Sequence, residues 1–376
     1  MSRRLAMASL ILALTACSAA ASSPGGSPSQ AEASASSALV PVPPGRILFS
    51  RDVSDGVEHY FTIRTDGTDE QAIYDREGCD CAHWAPDGSQ VLTLDTTDSG
   101  TLSFMTIRPD GSGRVFPDNP IPGLNLAPGG AATPDGRLIV FAGWDDTNAA
   151  PLSGLYIGSP SLADLHQVLP LQEGWLAVDP VGMTPDGSKI VFFVETGPDG
   201  ETTHAGHLFV VNADGTGLRQ LNPPGTKTGW IGGLIASLSP DGTQATFAVD
   251  DAVWVVDLAG GEARRITNTT GFAWSAAWSP TGEWIAFTRF HGPTAVIALV
   301  RPDGSDQREI SVVDESDEAG DGMWSPDGKY LVVLRDSDST HDGPRDLWIM
   351  DLEGTYIGQV THEPSDIDLY GWAPAP

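Results

Sequence analysis

Trp324-Ser325-Pro326-Asp327-Gly328-Lys329-Tyr330-Leu331-Val332-Val333 reads as the end of one strand, a tight turn and the start of another. Proline presets φ at the first corner, the aspartate can bond back to its own backbone, and glycine takes the left-handed conformation that other residues adopt only at a cost. The β-branched and aromatic run that follows has the composition of a strand. In the equivalent Lys189-Ile190-Val191-Phe192-Phe193-Val194, odd and even positions are both apolar, which predicts a strand buried on both faces.

The stretch recurs. Copies begin at Trp84, Ala132, Met183, Leu238, Trp278 and Trp324, and a truncated copy, Gly371-Trp372-Ala373-Pro374, closes the chain. Their spacing averages about 48 residues, the length of a four-stranded propeller blade, and repeats of this period bury each other's faces. Strand-loop-strand-turn signatures fall at 47–74, 91–116, 138–169, 190–221, 244–267, 285–310 and 331–361. They predict an all-β chain folded as a seven-bladed β-propeller of four-stranded blades. Six blades is the alternative, because the third unit has Gly158-Ser159-Pro160-Ser161 where the others carry an Asp-Gly turn. The first unit lacks its opening strand and the last copy has nothing after it. Pairing the two completes a blade, so the C-terminal strand is expected to close the ring and remove its sheet edges.

From about residue 45 to 376, these repeats resemble the TolB-type β-propeller family. The resemblance implies the fold and says little about chemistry. TolB itself carries a separate domain ahead of its propeller, which is not expected here, so a role in the Tol system is not carried over. The chain has a single Trp-Asp pair, Trp144-Asp145, which makes intracellular WD repeats a poorer match.

Ahead of the repeats, Arg3 and Arg4 precede an apolar run from Leu5 to Leu14 that is too short to span a bilayer and reads as a secretory signal. Leu14-Thr15-Ala16-Cys17 resembles the bacterial lipobox. The resemblance implies a signal peptide over 1–17, lipidation of Cys17 and an extracytoplasmic protein anchored to the membrane. Ordinary cleavage after Ala19-Ala20-Ala21 and secretion is the alternative. Residues 18–44 are largely Ala, Ser, Pro and Gly, unable to bury enough to offset their ordering entropy, and are expected to be a disordered tether. The net charge of −30 becomes −32 once Arg3 and Arg4 are removed. So acidic a surface repels phosphates, which argues against nucleic-acid partners.

Candidate site residues are few. Cys79, Cys81 and His83 would share one face of an extended strand. Three readings are open: a local Cys79–Cys81 disulfide, unpaired structural thiols, or a metal site using both sulfurs and His83. Asp80, Asp179 and Asp368 occupy the same offset before the turn motif, with Asp321 one step away. By analogy with known propellers this strand is innermost, so these four are candidate channel or ligand-binding residues. They could hold a structural cation such as calcium through oxygen ligands, or simply be solvated strand ends. Loop carboxylates at 314–318 and 336–342, and the pair His204 and His207, fit no metal-site spacing. Trp84, Trp278, Trp324 and Trp372 fall in register and are expected to be interblade core.

There is no Gly-x-Ser-x-Gly elbow and no matched acid and base. The expectation is a non-enzymatic, monomeric binding scaffold for an envelope or extracellular protein, a peptide or a glycan, touching the membrane only through its lipid. A carbohydrate-active or hydrolytic propeller enzyme with its site in the central channel is the alternative.

Overall fold

The computed structural model describes residues 42–52, 58–75, 82–97, 102–145, 152–196, 205–224, 226, 236–249, 251–267, 273–291, 294–311, 319–336, 345–363, 365 and 367–374. The side chains of a few strand residues, Trp274 and Asp321 among them, lie outside that description, as do Cys17, Cys79, Asp80 and Cys81 altogether. The described residues form seven antiparallel sheets. Blade one is built from Ile367–Pro374, Gly45–Asp52, Glu58–Arg64 and Gln71–Asp75, in that spatial order. Blades three to seven are consecutive four-stranded meanders whose innermost strands are Asn125–Ala132, Trp175–Met183, Ala236–Leu238, Ala273–Trp278 and Ala319–Trp324. Blade two has three strands, His83–Trp84, Val91–Thr96 and Leu102–Ile107. A single bridge, Thr106 to Val115, stands in for its fourth strand.

The core has the arithmetic of a ring. Seven apolar clusters each join two successive blades. One of them packs Ile47, Phe49 and Phe61 of blade one on Val332, Leu347 and Ile349 of blade seven, so no blade is left with an uncovered sheet face. The second strand of blade four, Lys189–Thr196, is buried from Ile190 through Val194 without alternation, as a strand between two neighbouring blades must be. The ring closes where the repeats require: Arg46 pairs with Ala373, Ile47 with Trp372 and Phe49 with Leu369, with a bulge after Leu48.

The repeat motif acts as a local frame. In the blade-seven copy the Ser325 hydroxyl donates to Asp327 at 2.7 Å and accepts from Tyr330 N at 3.0 Å, while Gly328, at φ 68°, donates its N–H to the Ser325 carbonyl. Thr184-Asp186 and Ser239-Asp241 repeat the hydroxyl-to-carboxylate contact at 2.7 Å. The tryptophans of the motif pack between blades, with Trp278, Trp324 and Trp372 buried and Trp84 half-buried. Trp84 Nε1 donates to Gly371 O of blade one, and Trp324 Nε1 to Ala277 O of blade six. Gly371 and Ala277 hold the same place in their units, so the motif staples each of these blades to the one before it.

Candidate functional site in the axial channel

The innermost strands carry the side chains that border the axis. Each is hydrogen-bonded to its blade along one edge only, and bulges interrupt it in blades one, three, four, six and seven. Bulges bend a strand and re-aim side chains, and they gather near functional sites. In blade four the register shifts between Pro180 and Gly182, just after Asp179. In blade six the bulge contains Ser275, a non-glycine residue at φ 57°.

Asp179 lies between buried Val178 and Pro180 and is itself exposed. Desolvation by the protein packed around it disfavours the charged form and pushes its pKa up to about 6. His83, half-buried on the first strand of blade two, is crowded in the same way, and burial pushes its imidazole down to about 4. At neutral pH these innermost strands therefore carry a carboxylate with a raised pKa and an imidazole that stays neutral.

Asp368, exposed on the first strand of blade one, pairs across the sheet with Ser50. Blades four and one are not neighbours, so Asp179 and Asp368 belong to separate parts of the ring. Among the described residues no three His, Cys, Asp or Glu side chains come together as metal ligands. The structure places Asp321 in its innermost strand at the bulge of blade seven.

The motif aspartates are structural. Their carboxylates accept hydrogen bonds inside their own turns, which holds Asp87, Asp135, Asp186 and Asp241 below the usual range. The Thr184 hydroxyl and then the Ser188 amide and hydroxyl take Asp186 down to about 2, and the Thr133 hydroxyl with Arg137 does the same for Asp135. Sequence reasoning missed a small groove where Trp144 and Ser153 of blade three meet Leu176 and Val178 of blade four. Its residues are scattered along the chain. The signals that could have found it are the lone Trp144-Asp145 pair and the lack of any Lys or Arg between Arg137 and Lys189.

No family model matches the sequence, and no curated protein matches it. Among solved structures the chain is similar to TolB from Acinetobacter baumannii, with a TM-score of 0.51 at 13% identity over 88% of this chain and 67% of that one. It is similar to an oligogalacturonate lyase from Vibrio parahaemolyticus, with a TM-score of 0.55 at 14% identity over 85% of each chain. A puromycin hydrolase matches 88% of this chain with a TM-score of 0.57 at 17% identity, and the match spans 55% of that protein's length. At such low identity these likenesses speak for architecture alone: this chain has a TolB-like β-propeller fold.

Proposed function

We propose that the chain is a lipid-anchored, extracytoplasmic β-propeller that binds a protein, peptide or glycan and performs no chemistry on it. The observation that carries this reading is the separation, among the described residues, of the two shifted groups on the innermost strands. Asp179 and His83 stand on blades four and two, neither hydrogen-bonds to the other, and each is shifted by crowding alone. General acid–base chemistry needs groups within hydrogen-bond reach of a shared substrate, whereas recognition needs only a shaped rigid surface. The abundant motif carboxylates are already committed to their turns. Cys17, lipidated as the lipobox resemblance implies, would hold the ring at the membrane on the tether of residues 18–44, since more than one acyl chain gives stable anchoring.

The decisive experiment incubates the purified mature protein with a panel of cell-wall and plant polysaccharides. No turnover is expected; turnover that disappears in Asp179→Asn would replace this reading with its rival. That rival, a carbohydrate-active or hydrolytic enzyme with its site in the channel, is favoured by one observation. A carboxyl held at about 6 is poised for proton transfer near neutral pH. Anchoring is tested separately: Cys17→Ala or globomycin treatment should move the protein out of the membrane fraction, and unchanged fractionation would remove the lipid from the proposal.

A further inference from the structure

Blades six and seven carry the same outer turn with opposite chemistry. Arg301 donates its amide to the Ser305 carbonyl at 2.9 Å, and Asp351 to the Thr355 carbonyl at 3.0 Å. By that register, and by the pairing of Arg308 with Leu299 and of Gly358 with Ile349, Trp284 corresponds to Tyr330, Arg301 to Asp351 and Arg308 to Gly358. In blade six the guanidiniums of Arg301 and Arg308 lie over the Trp284 ring, 3.8 and 5.1 Å from its centroid. In blade seven both cations are replaced, and a cleft of about 340 Å³ opens there, lined by Lys329, Tyr330, Asp351, Leu352, Glu353 and Ile357. A Cβ added at Gly358 would meet nothing within 4 Å.

The residues that replace the arginines set the charge of an occupant. Asp351 puts a carboxylate where blade six has a guanidinium. One of its oxygens accepts from the Glu353 and Thr355 amides at 3.0 and 2.7 Å, and the other has no hydrogen-bond partner among the described residues. Glu353, exposed, adds a second carboxylate, and it too has no ion-pair partner among the described residues. Lys329 is the one cation of the lining; it is 74% exposed and reaches Asp327 at 3.8 Å. An aromatic ring set among carboxylates and the apolar Leu352 and Ile357 suits an arginine. Its planar guanidinium stacks on the ring and pairs with the acids, and its methylene stem lies on the apolar wall.

We propose that this cleft is the socket for an arginine side chain of a protein partner, which restores in trans the arginine-on-aromatic stack that blade six makes with its own residues. The guanidinium lies on Tyr330 and pairs with Asp351 and Glu353, while the stem rests against Leu352 and Ile357. This rests on the binding function proposed above and gives it a partner chemistry.

The probes are capped tripeptides with Arg, Lys or citrulline between two Gly residues, titrated into the full mature protein while the backbone amide resonances of Leu352, Glu353 and Gly354 are followed. The Arg peptide is expected to bind about tenfold tighter than the citrulline peptide, which keeps the shape and loses the charge. It should bind about threefold tighter than the Lys peptide, which keeps the charge and loses the planar face. Gly358→Arg supplies the missing side chain from the protein's own blade, as blade six does, and should weaken the Arg peptide about tenfold with the melting temperature unchanged. Tyr330→Leu should erase the preference for Arg over Lys. Equal binding of the Arg and citrulline peptides, undiminished binding to Gly358→Arg, a preference for Arg that survives Tyr330→Leu, or no binding of any peptide would overturn the socket. Polysaccharide turnover would overturn the binding function instead, so the two failures are distinguishable.

Discussion

Asp179 and Asp186 stand in the same strand-and-turn unit and are pushed in opposite directions. Asp179 is raised to about 6 by desolvation, while Asp186 is held at about 2 by hydroxyl and amide donors. A carboxyl raised on folding contributes stability that is complete below its unfolded value and is lost as pH rises through 6. Asp179→Asn removes that loss. The variant's melting temperature should exceed the wild type's above pH 6, with the gap closing by pH 4, and a gap constant across the titration would mean the group is not desolvated. His83 acts on the other side. Its lowered pKa costs stability as pH falls from 6.5 towards 4, so His83→Gln should flatten the acid limb over that window. The turn aspartates were legible in the sequence because their donors lie within a few residues. The shift at Asp179 was not, because desolvation depends on how the assembled fold packs around it.

The motif turn is the element on which stability rests, and its hydroxyl is its centre. Ser325 is fully buried and bonds both Asp327 and the Tyr330 amide. Ser325→Ala leaves that amide without its side-chain acceptor and should cost about 1–2 kcal/mol in urea unfolding, with Ser239→Ala similar. The outer turns have their own constraint. Gly354 sits at φ 87°, where an added Cβ would strike the Ile310 carbonyl. Gly354→Ala should therefore destabilise by about 1–3 kcal/mol, and an unchanged denaturation midpoint would show that the turn relaxes freely. The third unit shows the limit of motif reading. Gly158-Ser159-Pro160-Ser161 lacks the Asp-Gly turn, yet Asp164 reaches back to the Ser159 amide and hydroxyl at 2.7 and 2.6 Å and blade three keeps four strands. The aspartate was present in the sequence, but displaced from the position where the motif directs attention. Blade two is the reverse case, a well-formed motif whose fourth strand amounts to one bridge at Val115.

At the scale of the molecule, stability depends on a contact between the two ends of the fold. Trp372, 8% exposed, packs against both blade seven and blade one, and its strand pairs with Gly45–Asp52. Deleting residues 367–376 should expose an edge and lower the melting temperature sharply, and unaffected stability would refute the closure seen here. Blade number and closure could be read from the sequence because each repeat announces itself. The groove at Ser153 could not, because it exists only where two blades meet. Self-repulsion also acts at this scale: with a net charge of −30, added salt should raise the melting temperature by screening like charges. Because Pro374 lies opposite Gly45 within one sheet, the termini are an arbitrary cut in a circle. A permuted chain that joins them through a short linker and opens instead at the turn near Gly215 would keep every sheet. It would also move the point from which the proposed N-terminal tether leaves about halfway round the ring, so that anchoring as proposed would turn a different set of blades towards the membrane.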